Sequence, residues 1–319
     1  MDNVKRLELI KRNSIEIIEE NELKELLKKK KTPRVYCGYE VSGEVHLGHM
    51  VTITKLLDFQ KAGFDVVVLF ADWHTWLNRK GSWEEINKLS KIWEKAFKAL
   101  GLKADYVLGS DIQRNLGYID DVLKISVKTT INRALRSMQE IIRDVEHAKV
   151  SQVIYPFMQV EDIKILKLDV ATSGIEQRKI HMLAREVLPE LGHKAPICVH
   201  TPLIPSLQGP KEKMSSSKPE TMISVRDSPE DIKRKIKKAY CLEGDAENNA
   251  ILSIIKLVVF PRINEFKVKR DKKFGGDISF DNYKALEDDF IDRKIHPMDL
   301  KNALTEYLIE ILKPVRKVF

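Results

Sequence analysis

Cysteine, glycine, proline and aromatic residues are all sparse in this 319-residue chain, which has 3 Cys, 14 Gly, 12 Pro and 7% Phe, Trp and Tyr. Cys37, Cys198 and Cys241 are odd in number, far apart and without a C-x-x-C pair, so neither a disulfide framework nor a zinc site is indicated and no structural metal is expected. Long apolar runs are missing too. None approaches the roughly 18 residues that a membrane helix needs, and Met1 to Lys11 is charged, without the apolar core of a signal peptide. No membrane partner and a cytoplasmic location are therefore expected. Repeats and low-complexity tracts are absent. What is present is a 43% hydrophobic fraction, enough for cores in two domains, and a formal net charge of +8, which suits a polyanionic partner without specifying one.

Short β-branched or apolar runs, Val35 to Tyr39, Phe64 to Ala71, Ala104 to Leu108, Leu168 to Val170 and Ile197 to His200, are separated by helical segments, the pattern of a parallel α/β sheet. Leu7 to Glu20 and Glu22 to Lys30, the second capped by Asn21, read as helices leading into it. Ser82-Trp83-Glu84-Glu85 is a capping box that opens a helix closed by Gly101. A helical stretch at roughly 117–146 is rich in Lys124, Lys128, Arg133, Arg136 and Arg143. After Ser224 the sheet pattern stops and helices take over. The fold expected is α/β: a Rossmann-like parallel sheet over residues 1–223, carrying a helical connective insertion at about 110–150 and a mobile loop at about 206–220, then a smaller all-helical domain over residues 224–319.

Two motifs carry the chemistry. His46-Leu47-Gly48-His49 falls at a strand-to-helix corner, where free backbone N–H groups and the helix dipole face a phosphate. Gly48 removes a side chain where a nucleotide must approach, and two imidazoles a turn apart can donate to phosphoryl oxygens. Alone, such a pair could simply cap a helix. Lys213-Met214-Ser215-Ser216-Ser217, opened by Gln208-Gly209-Pro210, adds a mobile ammonium and three hydroxyls suited to a polyphosphate. Together they frame ATP activation. Tyr155, Gln159 and Asp162 would share one helical face, and so could line one pocket; a buried Asp is costly unless something such as a substrate hydroxyl pairs with it.

His46 to His49 resembles the H-I-G-H motif, and Lys213 to Ser217 the K-M-S-K-S motif, of class I aminoacyl-tRNA synthetases. Within that class the chain resembles the tyrosyl-tRNA synthetases of the archaeal and eukaryotic type. Tyr36-Cys37-Gly38-Tyr39-Glu40, Ala71-Asp72-Trp73-His74, Tyr155-Pro156-Phe157-Met158-Gln159, Asp169-Val170-Ala171, Glu176-Gln177-Arg178-Lys179 and His296-Pro297-Met298-Asp299 carry that likeness. Ser216 stands where the bacterial motif has a second lysine, which leaves Lys213 as the sole motif lysine.

The resemblance implies an ATP-dependent ligase that joins L-tyrosine to tRNA(Tyr) through tyrosyl-adenylate, with Mg²⁺ accompanying ATP. It implies catalytic roles for His46, His49 and Lys213, and ATP contacts from Gly38, Gly48, Met214, Ser215, Ser216 and Ser217. Tyr36 and Asp162 would bind the phenolic oxygen of tyrosine, with Tyr155, Gln159 and Gln177 on its amino group. Arg136, Arg178 and Lys179 would hold the tRNA acceptor end, Phe274, His296 and Asp299 the anticodon guanine, and the connective insertion would form a homodimer. A tryptophanyl enzyme, a non-catalytic RNA-binding relative and a small nucleotidyltransferase remain alternatives; the last leaves residues 224–319 and the Lys213 loop unexplained.

Overall fold

The computed structural model describes residues 1–142, 144–215, 218–247 and 249–319. Ser216 and Ser217 of the expected phosphate loop, Arg143 of the basic stretch and Asn248 lie outside the described residues. The chain divides into two compact units: Met1–Ser42, Lys55–Glu94 and Leu102–Pro202 form one, and Gly43–Thr54, Lys95–Gly101 and Leu203–Phe319 form the other.

The first unit holds a sheet of β1 (Glu16–Ile18), β2 (Arg34–Tyr39), β3 (Asp65–Phe70), β4 (Asp105–Leu108), β5 (Val170–Gly174) and β6 (Ile197–Thr201), in the order β1-β6-β5-β2-β3-β4. Every neighbouring pair is parallel except β1 with β6. Val66 to Phe70 is buried along its whole length, as expected for a parallel strand covered on both faces. The chain steps outward from β2 to β4 on one side and from β5 to β6 on the other. The reversal point between β2 and β5 is where sheets of this kind take ligands, beyond the carboxyl ends of the strands.

The helices of the first half are α1 (Asn3–Lys11), α2 (Glu20–Lys29), α3 (Leu47–Lys61), α4 (Asp72–Leu77), α5 (Trp83–Ala99), α6 (Gly109–Ile112), α7 (Leu116–Lys128), α8 (Ile131–Met138), α9 (Val150–Ile165) and α10 (Arg178–Val187). Tyr36, Leu69 and Ala171 of the sheet belong to one buried cluster with Phe157, Val160 and Ile163 of α9, and burying each large apolar side chain contributes about 1.5–3 kcal/mol. That packing fixes the α9 face bearing Asp162 against the sheet.

Three local expectations are corrected. The first helix does not run to Glu20: it ends at Lys11, Asn13 turns with φ 57°, and Ile15 begins pairing with His200, so Ile17 and Ile18 lie in an edge strand. β-Branched residues favour that extended backbone once the edge of β6 offers partners. Nor does Asn21 cap α2, which starts at Glu20 behind a left-handed Glu19 with no side-chain cap. The basic helical stretch is broken at Thr129 and Thr130, where the Thr130 hydroxyl accepts from Arg133 N and starts α8.

In the second unit, β7 (Pro205–Ser206) and β8 (Gly209–Lys213) form an antiparallel hairpin whose last residue is the motif lysine. Helices α11 (Pro229–Lys238, capped by Ser228), α12 (Ala250–Ile254, continuing as a π-turn to Val259), α13 (Tyr283–Ile291) and α14 (Pro297–Arg316) follow. Besides these helices, β9 (Phe266–Val268) and β10 (Ile278–Phe280) make a two-stranded ribbon. The functional boundary expected at residue 223 falls inside this unit, because segments distant in sequence pair across it: Leu47 N donates to Ile223 O (3.0 Å) and Val225 N to Val45 O (2.9 Å).

Candidate active site

In the first unit the polar residues gather beyond the strand ends. Asp162 on α9 is fully buried. Its Oδ1 accepts from Gln113 Nε2, just after α6, and from Tyr118 Oη on α7, both at 2.9 Å, while Oδ2 has no hydrogen-bond partner among the described residues. Burial raises the Asp162 pKa to about 7 against the pull of those two donors. His74 on α4 lies with Nε2 3.6 Å from Asp162 Oδ2, and its Nδ1 is 3.4 Å from Gln113 Nε2. An Nδ1 that accepts leaves the proton on Nε2, and burial holds His74 neutral with a pKa of about 3. Tyr36 Oη, buried on β2, is also unpartnered, and burial with the nearby Asp162 charge raises its pKa.

Orphaned buried polar atoms cost about 1–3 kcal/mol each. Tyr36 Oη, Asp162 Oδ2 and His74 Nε2 together are therefore a template for a ligand that both donates and accepts, as a phenol does. Tyr155, Gln159 and Asp162 do lie on α9, with Tyr155 and Asp162 buried and Gln159 half-buried. The Tyr155 ring meets His74 edge-on at 4.5 Å. Gln177, beyond the end of β5, has an unpartnered buried Oε1. Gly38 is exposed on β2, where a Cβ would stand in ordinary contact with Tyr36 at 3.5 Å. Sequence reasoning gave no role to Gln113, Tyr118 and His74: each is one polar residue among several in its own helix or turn, and only the sheet order brings them to one carboxylate.

The nucleotide motifs belong to the second unit. At the start of α3, Gly48 N donates to His46 Nδ1 (3.0 Å) and His46 N donates to His49 Nδ1 (3.2 Å). With Nδ1 accepting, a neutral His46 ring carries its proton on Nε2. Burial lowers the His46 pKa to about 4, so it is a neutral donor at pH 7, its ring centroid 3.9 Å from that of His49. The free backbone donors expected at this corner are already used: Leu47 N goes to Ile223 O, Gly48 N to His46 Nδ1 and His49 N to His46 O. A Cβ on Gly48 would come within 2.7 Å of His46 Cε1 and within 3.9 Å of Met214 Cβ, so Gly48 also makes room for the imidazole. Lys213 is exposed and unpaired among the described residues, whereas Met214 is buried and its N–H holds Ile204 O at 3.0 Å. Ser215 is half-buried.

Of the expected tRNA contacts, Arg136 is exposed on α8 and makes no ion pair among the described residues. Lys179 reaches Gln139 Oε1 (2.8 Å) and Glu140 Oε1 (3.2 Å), and Arg178 Nε is held by Glu16. In the second unit Phe274 is 62% exposed with Lys273 Nζ 4.9 Å over its ring. Arg270 bonds both Gly276 O and Lys294 O, tying the Phe274 loop to the turn before α14. His296 caps α14 through Nδ1, which accepts from Met298 N at 3.2 Å. Asp299, in the first turn, has a half-exposed carboxylate without hydrogen bond or ion pair among the described residues.

Comparison with known proteins gives this geometry a context. Residues 28–313 match the family described as tRNA synthetases class I (W and Y). A tyrosine–tRNA ligase of Methanosarcina barkeri is 52% identical over 316 residues, spanning 98% of this chain and 99% of that one. The crystal structure of a tyrosyl-tRNA synthetase complexed with L-tyrosine from Archaeoglobus fulgidus is similar with a TM-score of 0.96 and 50% identity, covering 99% of both chains. That of a Pyrococcus horikoshii tyrosyl-tRNA synthetase, also complexed with L-tyrosine, is similar with a TM-score of 0.92 and 34% identity, covering 99% of this chain and 96% of the other.

Proposed function

The chain belongs to the class I tRNA synthetases of the tryptophan and tyrosine type and joins L-tyrosine to tRNA at the expense of ATP, and we propose the residues through which it does so. The ionised carboxylate of tyrosine attacks the α-phosphorus of ATP, forming tyrosyl-adenylate as pyrophosphate leaves. A ribose hydroxyl of the terminal adenosine of tRNA(Tyr) then attacks the activated carbonyl, and AMP departs. Neither step asks the protein for a covalent bond, so positioning and charge stabilisation dominate. His46 and His49 donate from Nε2 at the α-phosphate, and Gly38 and Gly48 leave room for the nucleotide. Lys213 with the backbone and hydroxyls of Met214 to Ser217 neutralises the pyrophosphate, beside the Mg²⁺ that arrives with ATP.

Tyrosine is recognised by its hydroxyl. The unpartnered Oδ2 of buried Asp162 is the observation that carries this reading: a phenolic O–H supplies the missing donor, and Tyr36 Oη engages the same oxygen. Tyr155, Gln159 and Gln177 take the amino group. Pyrophosphate exchange measured with all twenty amino acids tests it; tyrosine alone should drive exchange, and a response to tryptophan alone, or to none, would overturn it.

Residues 1–223 act as the catalytic part and 224–319 as the part that reads the anticodon, with Phe274 stacking on the base and His296 and Asp299 at its edge. Arg136, Arg178 and Lys179 grip the acceptor end. A homodimer is supported by α7, where Leu116, Ile119, Leu123 and Val127 form an exposed apolar stripe, Val127 being 87% exposed. A stripe of that length on a helix calls for a covering surface, and a two-fold copy supplies a self-complementary one. Among the described residues no helix is long and apolar enough to cross a membrane, and a cytoplasmic setting follows from the role in translation.

A further inference from the structure

Arg178 opens α10 with its side chain 42% exposed, and only its Nε is engaged: it donates to Glu16 Oε2 at 2.7 Å and Oε1 at 3.0 Å. The two terminal nitrogens have no partner among the described residues. Behind Glu16 stands a short chain of imidazoles. His200 Nδ1 is 3.0 Å from Glu16 Oε2, and His181 Nδ1 is 3.0 Å from His200 Nε2. Both rings are buried, with centroids 5.1 Å apart. Glu16 faces His200 directly in the register of β1 with β6, and His181 sits one turn beyond Arg178 on α10.

The proton arrangement follows from the acceptors. The carboxylate held by Arg178 can only accept, so His200 donates from Nδ1, its Nε2 must accept, and His181 donates from Nδ1. With both imidazoles neutral, the hydrogen bonds from His181 to His200, from His200 to Glu16 and from Arg178 to Glu16 are all satisfied at once. An exposed Arg–Glu pair standing alone spends side-chain entropy to hold its geometry and stabilises little. Here the carboxylate is fixed from behind by two buried rings on two other elements, so the guanidinium is ordered before any ligand arrives. Engaging Nε while leaving the terminal nitrogens free presents a fork suited to a phosphate or a base edge.

We propose that Glu16, held by His200 and His181, is a positioning residue for tRNA charging: it aims the terminal nitrogens of Arg178 at the acceptor end of tRNA(Tyr). This rests on the reading of Arg178 as an acceptor-end contact. The edge strand β1 then has a functional task, which is to bring Glu16 beneath α10.

The test compares Arg178→Ala, Glu16→Gln and the double variant in the full-length protein, reading charging of a tRNA(Tyr) transcript, tyrosine-dependent pyrophosphate exchange and Tm. Arg178→Ala and Glu16→Gln should each lower kcat/KM for charging by about tenfold or more, the scale of a misplaced reacting group, with exchange and Tm unchanged. The double variant should be no worse than Arg178→Ala, because both changes remove one device. His200→Asn, which keeps a donor near the Nδ1 position, should charge better than His200→Ala. Normal charging by Arg178→Ala would sink the acceptor-end reading itself. Impaired charging by Arg178→Ala with normal charging by Glu16→Gln would overturn the positioning role alone. So would an additive double variant, or a Glu16→Gln loss shared equally by exchange or explained by a lower Tm.

Discussion

Gln113 Nε2 holds Asp162 Oδ1 at 2.9 Å, and with Tyr118 Oη on the same oxygen it leaves Asp162 Oδ2 as the unspent acceptor of a fully buried carboxylate. Two neighbours thereby decide which oxygen meets the substrate. Selectivity for a hydroxyl then follows, because a ring without one leaves that acceptor buried and unpaired.

Replacing Asp162 with Ala should weaken tyrosine binding and abolish preference over phenylalanine. A hydrogen bond to a charged group contributes about 1.5–3 kcal/mol, roughly a 10- to 150-fold change in the tyrosine-to-phenylalanine ratio of kcat/KM for exchange. An unchanged ratio would show that Asp162 does not read the hydroxyl.

Asp162 also predicts a pH dependence. Its pKa is raised in the folded protein from 3.8 to about 7, chiefly by burial. This carboxyl therefore favours folding most below about pH 4, where it is protonated in both states, and its contribution is lost as the pH rises through 7. Asp162→Asn stays neutral throughout, so its Tm should gain on the unsubstituted protein between pH 4 and pH 8 and level off above. One pKa unit corresponds to about 1.4 kcal/mol, which makes the gain a few kcal/mol. A Tm difference that is flat across that window would contradict the burial argument.

Lys213→Ala should slow adenylate formation by about two orders of magnitude or more while leaving tyrosine affinity nearly unchanged, since its charge acts on the departing pyrophosphate. Single-turnover kinetics with an independent tyrosine titration separate the two quantities. Equal losses in both would place Lys213 in ground-state binding.

Leu123→Glu introduces a charge into the centre of the exposed α7 stripe. Sedimentation at micromolar concentration should show a dimer for the unsubstituted protein and a monomer for the variant, with the secondary structure content unchanged. A monomer in both cases would leave the stripe to another partner.

Asp299→Ala should leave tyrosine activation intact. It should reduce charging of tRNA with the native first anticodon base by about 1–3 kcal/mol in kcat/KM, the scale of one base contact, and should have little effect on a variant lacking that guanine. Because His296 caps α14, loss of Asp299 costs the helix only a first-turn dipole interaction of about 0.3–1 kcal/mol. Equal reduction for both tRNAs would make Asp299 a dipole partner and nothing more.

The local pattern of the chain was enough for its class. Runs such as Val66 to Phe70, separated by helical segments, announced the parallel sheet, and the capping box at Ser82 marked the start of α5, where Glu85 N does bond Ser82 Oγ at 3.2 Å. The spacing of Tyr155, Gln159 and Asp162 placed them on one helix. These properties depend on neighbours within a turn or two, which sequence periodicity records.

What surrounds each functional side chain was settled only by the tertiary fold. Gln113 and Tyr118 reach Asp162 because strand order puts α6, α7 and α9 beyond the same end of the sheet, and nothing periodic in their own segments signals that meeting. Glu16 reads as one more helical charge until the edge of β6 offers Ile15 to Ile18 a strand to pair with. The histidine corner looked from sequence like a set of free backbone donors; Ile223 O, His46 Nδ1 and His46 O take those donors up. Hydrogen bonds between residues so far apart in the chain depend on which segments the fold makes adjacent, and a one-dimensional pattern carries no record of that.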